Sequence, residues 1–275
     1  MGKVSKIKLH KKRNDRYHIY FQKEGKDEYG FTVNEDVLVK HGIQKGVTLT
    51  SDQIAAISKD EEKSKAFSRA LHFLSFRMRT VKEIDDYLRE QEIEDDQAEE
   101  ILERLINMNL LDDKAFAESY VRTKKNTQKK GPLKIRMELR EKGVANVHID
   151  SALEQFSQEE QYGMAFELAE KKQRSYRNQS IQQIKQKLVQ FLVQKGFPSG
   201  LAAEVVKELD FSSEQEEAEL EALGKQGEKA ARKYDRYEGW EQERRIRQYL
   251  YGRGFPFEKI DRWLEEWKQE QMGED

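Results

Sequence analysis

Five histidines, His10, His18, His41, His72 and His148, are the imidazoles with which this chain could hold a metal or move a proton. No two of them have the spacing of a helical zinc motif, and the absence of cysteine removes thiolate ligands, thiol nucleophiles and disulfides. Three adjacent acidic pairs, Asp85-Asp86, Asp95-Asp96 and Asp112-Asp113, are of a kind that can hold a divalent cation in a nuclease. The second and third pairs, however, fall where helices are predicted to begin, and aspartates there cap the chain and complement the helix dipole. Gly224-Lys225-Gln226-Gly227 lacks the Gly-Lys-Ser/Thr ending of a phosphate loop, and no Gly-x-Ser-x-Gly elbow occurs. These residues predict a protein that is not an enzyme and that takes no metal, no cofactor and no small-molecule substrate.

The informative side chains are cations with aromatics among them. One group holds Phe76, Arg77 and Arg79. A second holds Tyr120, Arg122, Lys124, Lys125, Lys129 and Lys130, followed by Lys134, Arg136 and Arg140. A third holds Lys171, Lys172, Arg174, Tyr176 and Arg177, and a fourth Lys229, Arg232, Lys233, Tyr234, Arg236 and Tyr237. Residues 120–142 alone carry nine basic and two acidic side chains. A recurring row of cations suits a periodic anion such as a phosphate backbone, and interleaved rings can stack on exposed bases. Cations near a helix C-terminus also complement the dipole, at about 0.3–1 kcal/mol each. The density from Lys124 to Arg140 exceeds what a cap needs. Gly131-Pro132 opens the following helix and would turn free N–H groups towards an anion.

What positions these groups is a repeat. Leu88, Leu139, Leu192 and Leu250 lie 51, 53 and 58 residues apart, and each is followed five positions later by an apolar residue: Ile93, Val144, Phe197 and Phe255. In the last three, glycine (Gly143, Gly196, Gly254) stands just before that residue, as a left-handed helix cap requires. Short amphipathic stretches follow at Ile149–Leu153, Leu201–Val206 and Ile260–Leu264. The pattern predicts modules of long helix, turn, second helix, cap and third helix, at residues 51–112, 113–157, 158–210 and 211–275. Such units stack on their neighbours, here into an elongated, curved array. Within the first module, one helix starts near Asp52, another carries Ala66, Leu71 and Leu74, and Thr80 with Glu83 forms a capping box. Residues 1–50 read differently. Ile7/Leu9, Tyr17/Ile19/Phe21 and the run from Tyr29 to Val33 alternate with period two and predict a small antiparallel sheet, after which Asn34 caps a short helix ending near Gly42. The fold class expected is thus mainly α, with tandem helix-turn-helix-like repeats and a β-rich N-terminal segment.

Bulk composition agrees. Charged residues make up 37% and hydrophobic ones 36% of 275, with a mean hydropathy of -0.97, too little apolar material for one large globule. Three prolines suit long helices, and no apolar run approaches a membrane span. The N-terminus lacks the apolar stretch of a signal peptide, so the expected location is the cytoplasm, with no membrane partner. A net charge of -2 argues against a compact, strongly basic DNA-binding domain, although residues 1–50 hold eleven basic against six acidic side chains.

Three runs carry a resemblance. Ala70-Leu-His-Phe-Leu-Ser-Phe-Arg77-Met-Arg79-Thr80-Val-Lys-Glu83-Ile84, Leu110-Leu-Asp-Asp113-Lys-Ala-Phe116-Ala117 and Lys130-Gly131-Pro132-Leu-Lys-Ile135-Arg-Met-Glu138-Leu139-Arg-Glu-Lys-Gly143-Val144 are similar to the RecX family, regulators of RecA. The resemblance is specific over about residues 65–160 and looser through the third module. Gly30-Phe31-Thr-Val33 and Gly46-Val-Thr-Leu-Thr50 resemble longer Gram-positive members. It implies tandem three-helix repeats and a partner, the RecA filament on single-stranded DNA. The protein would lie in the filament groove and lower ATP hydrolysis, strand exchange and filament growth, tuning recombination and the SOS response. Single-stranded DNA is then a second partner, and duplex DNA a weak one at most. The N-terminal extension and the Glu-rich fourth module depart from the compact form of the family. The other function open to the residues is a stand-alone DNA-binding protein, which would bind duplex tightly with a steep salt dependence. The candidate interface is Arg77, Arg79, Arg122, Lys124, Lys125, Lys129, Lys130, Lys134, Arg136, Arg140, Lys171, Lys172, Arg174 and Arg177, chosen by charge.

Overall fold

A computed structural model describes residues 2–176 and 178–273. Among them the chain forms thirteen helices and one four-stranded antiparallel sheet, and divides into two compact units. The first comprises residues 1–116 with 142–145, and the second residues 117–141 with 146–275.

The first unit opens with β1 (Gly2–Leu9), β2 (Arg16–Lys23) and β3 (Lys26–Asn34), the first two joined by residues 10–15 and the last two by the tight turn Glu24-Gly25. Val4, Ile19 and Val33 are fully buried, with Ile7, Tyr17, Phe21 and Phe31 packed against them, and a bulge between Val4 and Lys6 brings Val4 to the same core as Ile7. Leu9, expected to share that face, lies at the strand end and is 50% exposed. A two-residue strand, β4 (Thr48–Leu49), completes the order β3-β2-β1-β4. Helix α1 (Glu35–Lys40) is capped by the Asn34 side chain, which accepts from the Asp36 N–H, and the chain turns at Gly42.

Where the sequence predicts two helices, near Asp52 and around Ala66–Leu74, the structure has one, α2 (Ser51–Ser75). No glycine or proline interrupts this stretch. The helix also serves two cores. Ile57 packs under the sheet with Val4, Ile19 and Val33. Ala66, Phe67 and Ala70 pack against Ile84, Leu88, Ala98, Ile101 and Leu105 of α3 (Val81–Glu90) and α4 (Asp95–Asn107). Thr80 and Glu83 form the predicted capping box at the start of α3.

α5 (Asp113–Gln128) begins in the first unit and continues into the second. The rest of the second unit is α6 (Pro132–Glu141), α7 (Asn146–Glu154), α8 (Gln158–Gln173), α9 (Ile181–Lys195), α10 (Ser199–Lys207), α11 (Ser213–Lys233), α12 (Gly239–Tyr251) and α13 (Phe257–Gly273). Anchor leucines Leu139, Leu192 and Leu250 are fully buried, as is Leu88 in the first unit. No helix among the described residues is long and apolar enough to cross a membrane.

The capping glycines also form junctions between modules. Gly143, Gly196 and Gly254 all have positive φ, at 80°, 95° and 78°. Each is pressed against the N-terminus of another second helix. In the second unit, a Cβ on Gly196 would lie within 2.6 Å of the Lys134 main-chain nitrogen at the start of α6. The α9 cap there supplies carbonyls to α6: Gly131 N–H donates to Lys195 O at 2.8 Å and Leu133 N–H to Gly196 O at 3.0 Å. In the same way Ser180, at the start of α9, donates to Arg253 O beside Gly254 at 2.6 Å. In the first unit Thr80 donates to Lys142 O at 2.8 Å, beside Gly143. The equivalent turn after α3 carries Glu92 at φ 58°, exposed to solvent. Open space lets that turn keep a side chain that the other three exclude.

Candidate functional site

The anion site expected at Gly131-Pro132 is not available. The N–H groups of Gly131 and Leu133 at the start of α6 are satisfied by the carbonyls of the α9 cap. Sequence spacing located the helix start but not the backbone that covers it.

The candidate cations fall into two groups. Several are held by internal partners. In the first unit Arg77 reaches both carboxylate oxygens of Glu83, at 3.1 and 3.3 Å, and Arg79 donates to Phe73 O while its guanidinium lies 3.3 Å from the Phe73 ring centroid. Burial, with Arg77 beside it, lowers the Arg79 pKa. Glu83 also accepts from Lys142 at 2.7 Å and from the Thr80 N–H. These bonds outweigh its burial and hold its pKa at about 2, against an ordinary 4.5. In the second unit Lys125 is only 9% exposed; its ammonium donates to Gln155 O and Glu160, with the Phe156 ring below it. Lys130 pairs with Glu138, whose pKa is lowered because the hydrogen bonds from Lys130 and Tyr120 overcome its burial. Arg136 pairs with Asp150, Arg140 reaches Asn146, and Arg174 pairs with Glu170 across one helical turn.

The others reach solvent. Arg122 and Lys171 are exposed and form no ion pair among the described residues. Lys124 lies over the Tyr120 ring at 5.0 Å. Lys129, at positive φ, makes only a loose 3.7 Å contact with Glu167. Lys134 is partly covered by the α9 cap. Lys172 sits between two rings, 5.3 Å from Tyr176 and 5.8 Å from Phe191. Arg177 lies outside the described residues.

Around Lys172 the structure assembles what charge counting had not collected. Lys187 also lies over the Tyr176 ring at 5.9 Å, and Lys195 over Phe191 at 5.8 Å. Three ammonium groups thus surround two partly exposed rings, with no ion pair to any of the three among the described residues. The last three-helix group repeats the arrangement. Lys233 lies over Tyr234 and Tyr249 at 5.2 and 5.3 Å, Arg253 over Tyr249 at 4.0 Å, and Arg236 and Arg245 over Tyr237 at 4.9 and 4.0 Å. Phe191 and Tyr249 each stand one residue before an anchor leucine, and Lys195 and Arg253 three residues after it. That register was legible in the sequence, since the anchors were known. The missing signal was that the second helix contributes as much as the first. In α6 the ring position is Glu138, so the pattern there becomes a carboxylate held by Lys130 and Tyr120.

The acidic pairs act structurally. Asp112 caps α5 through the Ala115 N–H, Asp113 accepts from the Val81 N–H, and Asp85 and Asp86 pair with Arg89 and Lys82. No group of three His, Asp or Glu among the described residues could hold a metal ion.

Comparison with known proteins matches three family models: the first RecX three-helix domain over residues 66–105, the second over 112–153, and the third twice, over 158–206 and 216–264. The chain is 42% identical over 266 residues to the regulatory protein RecX of Halalkalibacterium halodurans, covering 96% of this chain and 99% of that one. It is 39% identical to the RecX of Bacillus cytotoxicus, over 96% and 98% of the two chains. A crystal structure of regulatory protein RecX superposes with a TM-score of 0.68 at 43% identity, covering 76% of this chain and all of the other. RecX from Lactobacillus salivarius superposes with a TM-score of 0.53 at 37% identity, over 55% and 98%. With every three-helix segment matched and near-complete relatives at this identity, the chain belongs to the RecX family of regulatory proteins.

Proposed function

We propose that this protein binds the RecA filament assembled on single-stranded DNA, lowers RecA ATP hydrolysis, strand exchange and filament growth, and so tunes recombination and the SOS response in the cytoplasm. The observation that carries this is membership of the RecX family along nearly the whole chain. The ring-and-cation clusters support it from the chemistry. A cation over a ring offers a charge to a phosphate and a face to a base, without sequence preference. Each cluster makes a weak contact, and linkage along one chain turns the later contacts into intramolecular ones. The interface proposed comprises Arg122, Lys124, Lys129, Lys134, Lys171 and Lys172, together with Lys187, Lys195, Lys233 and Arg236. Arg77, Arg79, Lys125, Lys130, Arg136, Arg140 and Arg174 contribute while also holding internal partners.

The test is single-stranded-DNA-dependent ATP hydrolysis by RecA, titrated with this protein. Inhibition well below one molecule per RecA subunit is expected. No inhibition, with tight binding to free DNA, would replace this function with that of a stand-alone DNA-binding protein.

A further inference from the structure

The family models begin at residue 66, and the N-terminal sheet with the first half of α2 lies before them. This segment, wholly within the first unit, has an anion-binding geometry of its own. A cavity of about 700 Å³ opens between the sheet and α2. A second, of about 370 Å³, continues it along α2 to Tyr87 of α3, and the two share Arg13, Arg16 and Lys65. Arg69 and His72 line the second cavity as well.

The charge balance is one-sided. Among the described residues Glu61 is the single carboxylate lining either cavity, and it is already bound by Arg16 and by the Asn34 N–H at 2.7 Å, with Lys65 at 3.6 Å. Among the described residues Arg13 is exposed and forms no ion pair, and Arg69 is exposed and donates to the neutral Gln91 side chain at 3.2 Å without an ion pair. Burial, and after it the neighbouring Arg13 charge, lower the Arg16 pKa against the opposing pull of Asp15. Beside the cations, rings follow one another: His10 and His18 at 4.9 Å, then His18 and Tyr29 at 5.9 Å, with Tyr29 56% exposed. The Arg16–Glu61 ion pair fixes the floor, and Thr32 holds the polar edges of His18 and Tyr29 at 2.6 and 2.9 Å, which orients the two rings at the mouth of the cleft beside Arg13.

We propose that this cleft binds a short stretch of single-stranded nucleic acid, with phosphates at Arg13, Lys65 and Arg69 and bases against His18 and Tyr29. A duplex is too wide for cavities of this size and buries the base faces that the rings would meet. The site is separate from the ring-and-cation clusters of the second unit, and its operation requires no RecA.

The test uses the full chain without RecA and a fluorescein-labelled oligothymidylate of about twenty nucleotides, followed by anisotropy across a sodium chloride series. The double variant Arg13→Glu/Arg69→Glu is expected to bind about tenfold more weakly, with the log–log salt slope reduced by about 1.4, or about 0.7 for each single-strand phosphate lost. Unchanged affinity and slope would overturn the proposal. Arg13→Gln/Arg69→Gln, with its melting temperature checked, replaces the pair should charge reversal unfold the sheet, and a smaller loss in the same direction is then expected. Photo-cross-linking to an iodouracil-substituted oligonucleotide is expected to mark the peptides containing His18 or Tyr29, and adducts confined to residues beyond 116 would overturn it. Competition by inorganic phosphate or thymidine monophosphate as effective as by the oligomer, per phosphate, would make this a small-anion site and also overturn it. RecA inhibition is scored separately, so failure of the RecA function leaves this binding intact, and the reverse.

Discussion

At the residue scale, the structure separates cations that hold the protein together from cations that face outward, a distinction charge counting could not make. Lys125 and Lys124 are neighbours in sequence, yet one donates inward to a carbonyl and a carboxylate while the other lies over a half-exposed ring. Reversing Lys125 to Glu would bury a carboxylate against Glu160 and should destabilise the fold by about 3–5 kcal/mol. Arg122→Glu/Lys124→Glu/Lys129→Glu should leave the melting temperature within a few degrees while weakening RecA inhibition. Thermal melts beside ATPase titrations check both. Loss of inhibition by Lys125→Glu alone would therefore report unfolding. Glu83 provides a second residue-scale prediction. Its folded pKa of about 2 lies below its ordinary 4.5, so its stabilisation is fully present above about pH 5 and is lost as pH falls towards 2. Glu83→Gln keeps a capping side chain but loses the ion pairs with Arg77 and Lys142. It should cost roughly 1–2 kcal/mol at pH 7, after screening at this partly exposed site, and the gap should narrow steadily as pH falls from about 5 towards 2. Melting curves between pH 7 and 2.5 measure it; a gap constant with pH would contradict the assignment.

At the scale of elements, most of the architecture was legible because it rests on local signals: the period-two runs, the Asn34 and Thr80 caps, and the leucine-to-glycine spacing. Two features were not. The single long α2 depends on two separate cores sharing one helix, and nothing within residues 51–75 announces that Ile57 and Ala66 serve different partners. The second is the use of the capping glycines. Spacing identified them as left-handed caps, but their packing on the N-termini of other helices is a tertiary fact, and it is what closes the expected anion site at Gly131. The cation clusters were half legible for the same reason: rings and lysines on the second helix join them only once that helix is packed. The junctions make a prediction that a simple cap does not. Gly196→Ala should lose about 2–4 kcal/mol, combining the left-handed backbone cost with a collision against Lys134. Glu92→Gly, at the one such turn with open space, should be neutral or stabilise by at most about 1 kcal/mol. Denaturant unfolding decides it. Equal and small losses at Gly196 and its counterpart Gly254 on replacement by Asn, which tolerates positive φ, would show that the cap alone matters and the junction does not.

At the scale of the whole molecule, a net charge of -2 on 275 residues means that no global field draws the chain to DNA, so binding must be the sum of local sites. Two of those sites, around Tyr176/Phe191 and around Tyr234/Tyr237/Tyr249, repeat the same chemistry at the same register within one unit. If both engage a filament together, each supplies a free-energy increment that is realised because the other is already bound. Lys172→Glu/Lys187→Glu and Lys233→Glu/Arg236→Glu should each raise the concentration for half-inhibition of RecA ATP hydrolysis by about tenfold. The four-residue combination should raise it by about a hundredfold, since separate sites with no shared partner add in free energy. The substitutions are on exposed or half-exposed side chains with no ion pair among the described residues, so the folded state should not move by more than about 0.5 kcal/mol each. A combined effect no larger than either double change would mean that the clusters do not bind simultaneously. Steepening of the salt dependence towards that of duplex binding in the wild type would instead point to DNA alone as the ligand. Retention of full inhibition by the combined variant would move the interface away from the rings altogether, to the Arg122–Lys129 face.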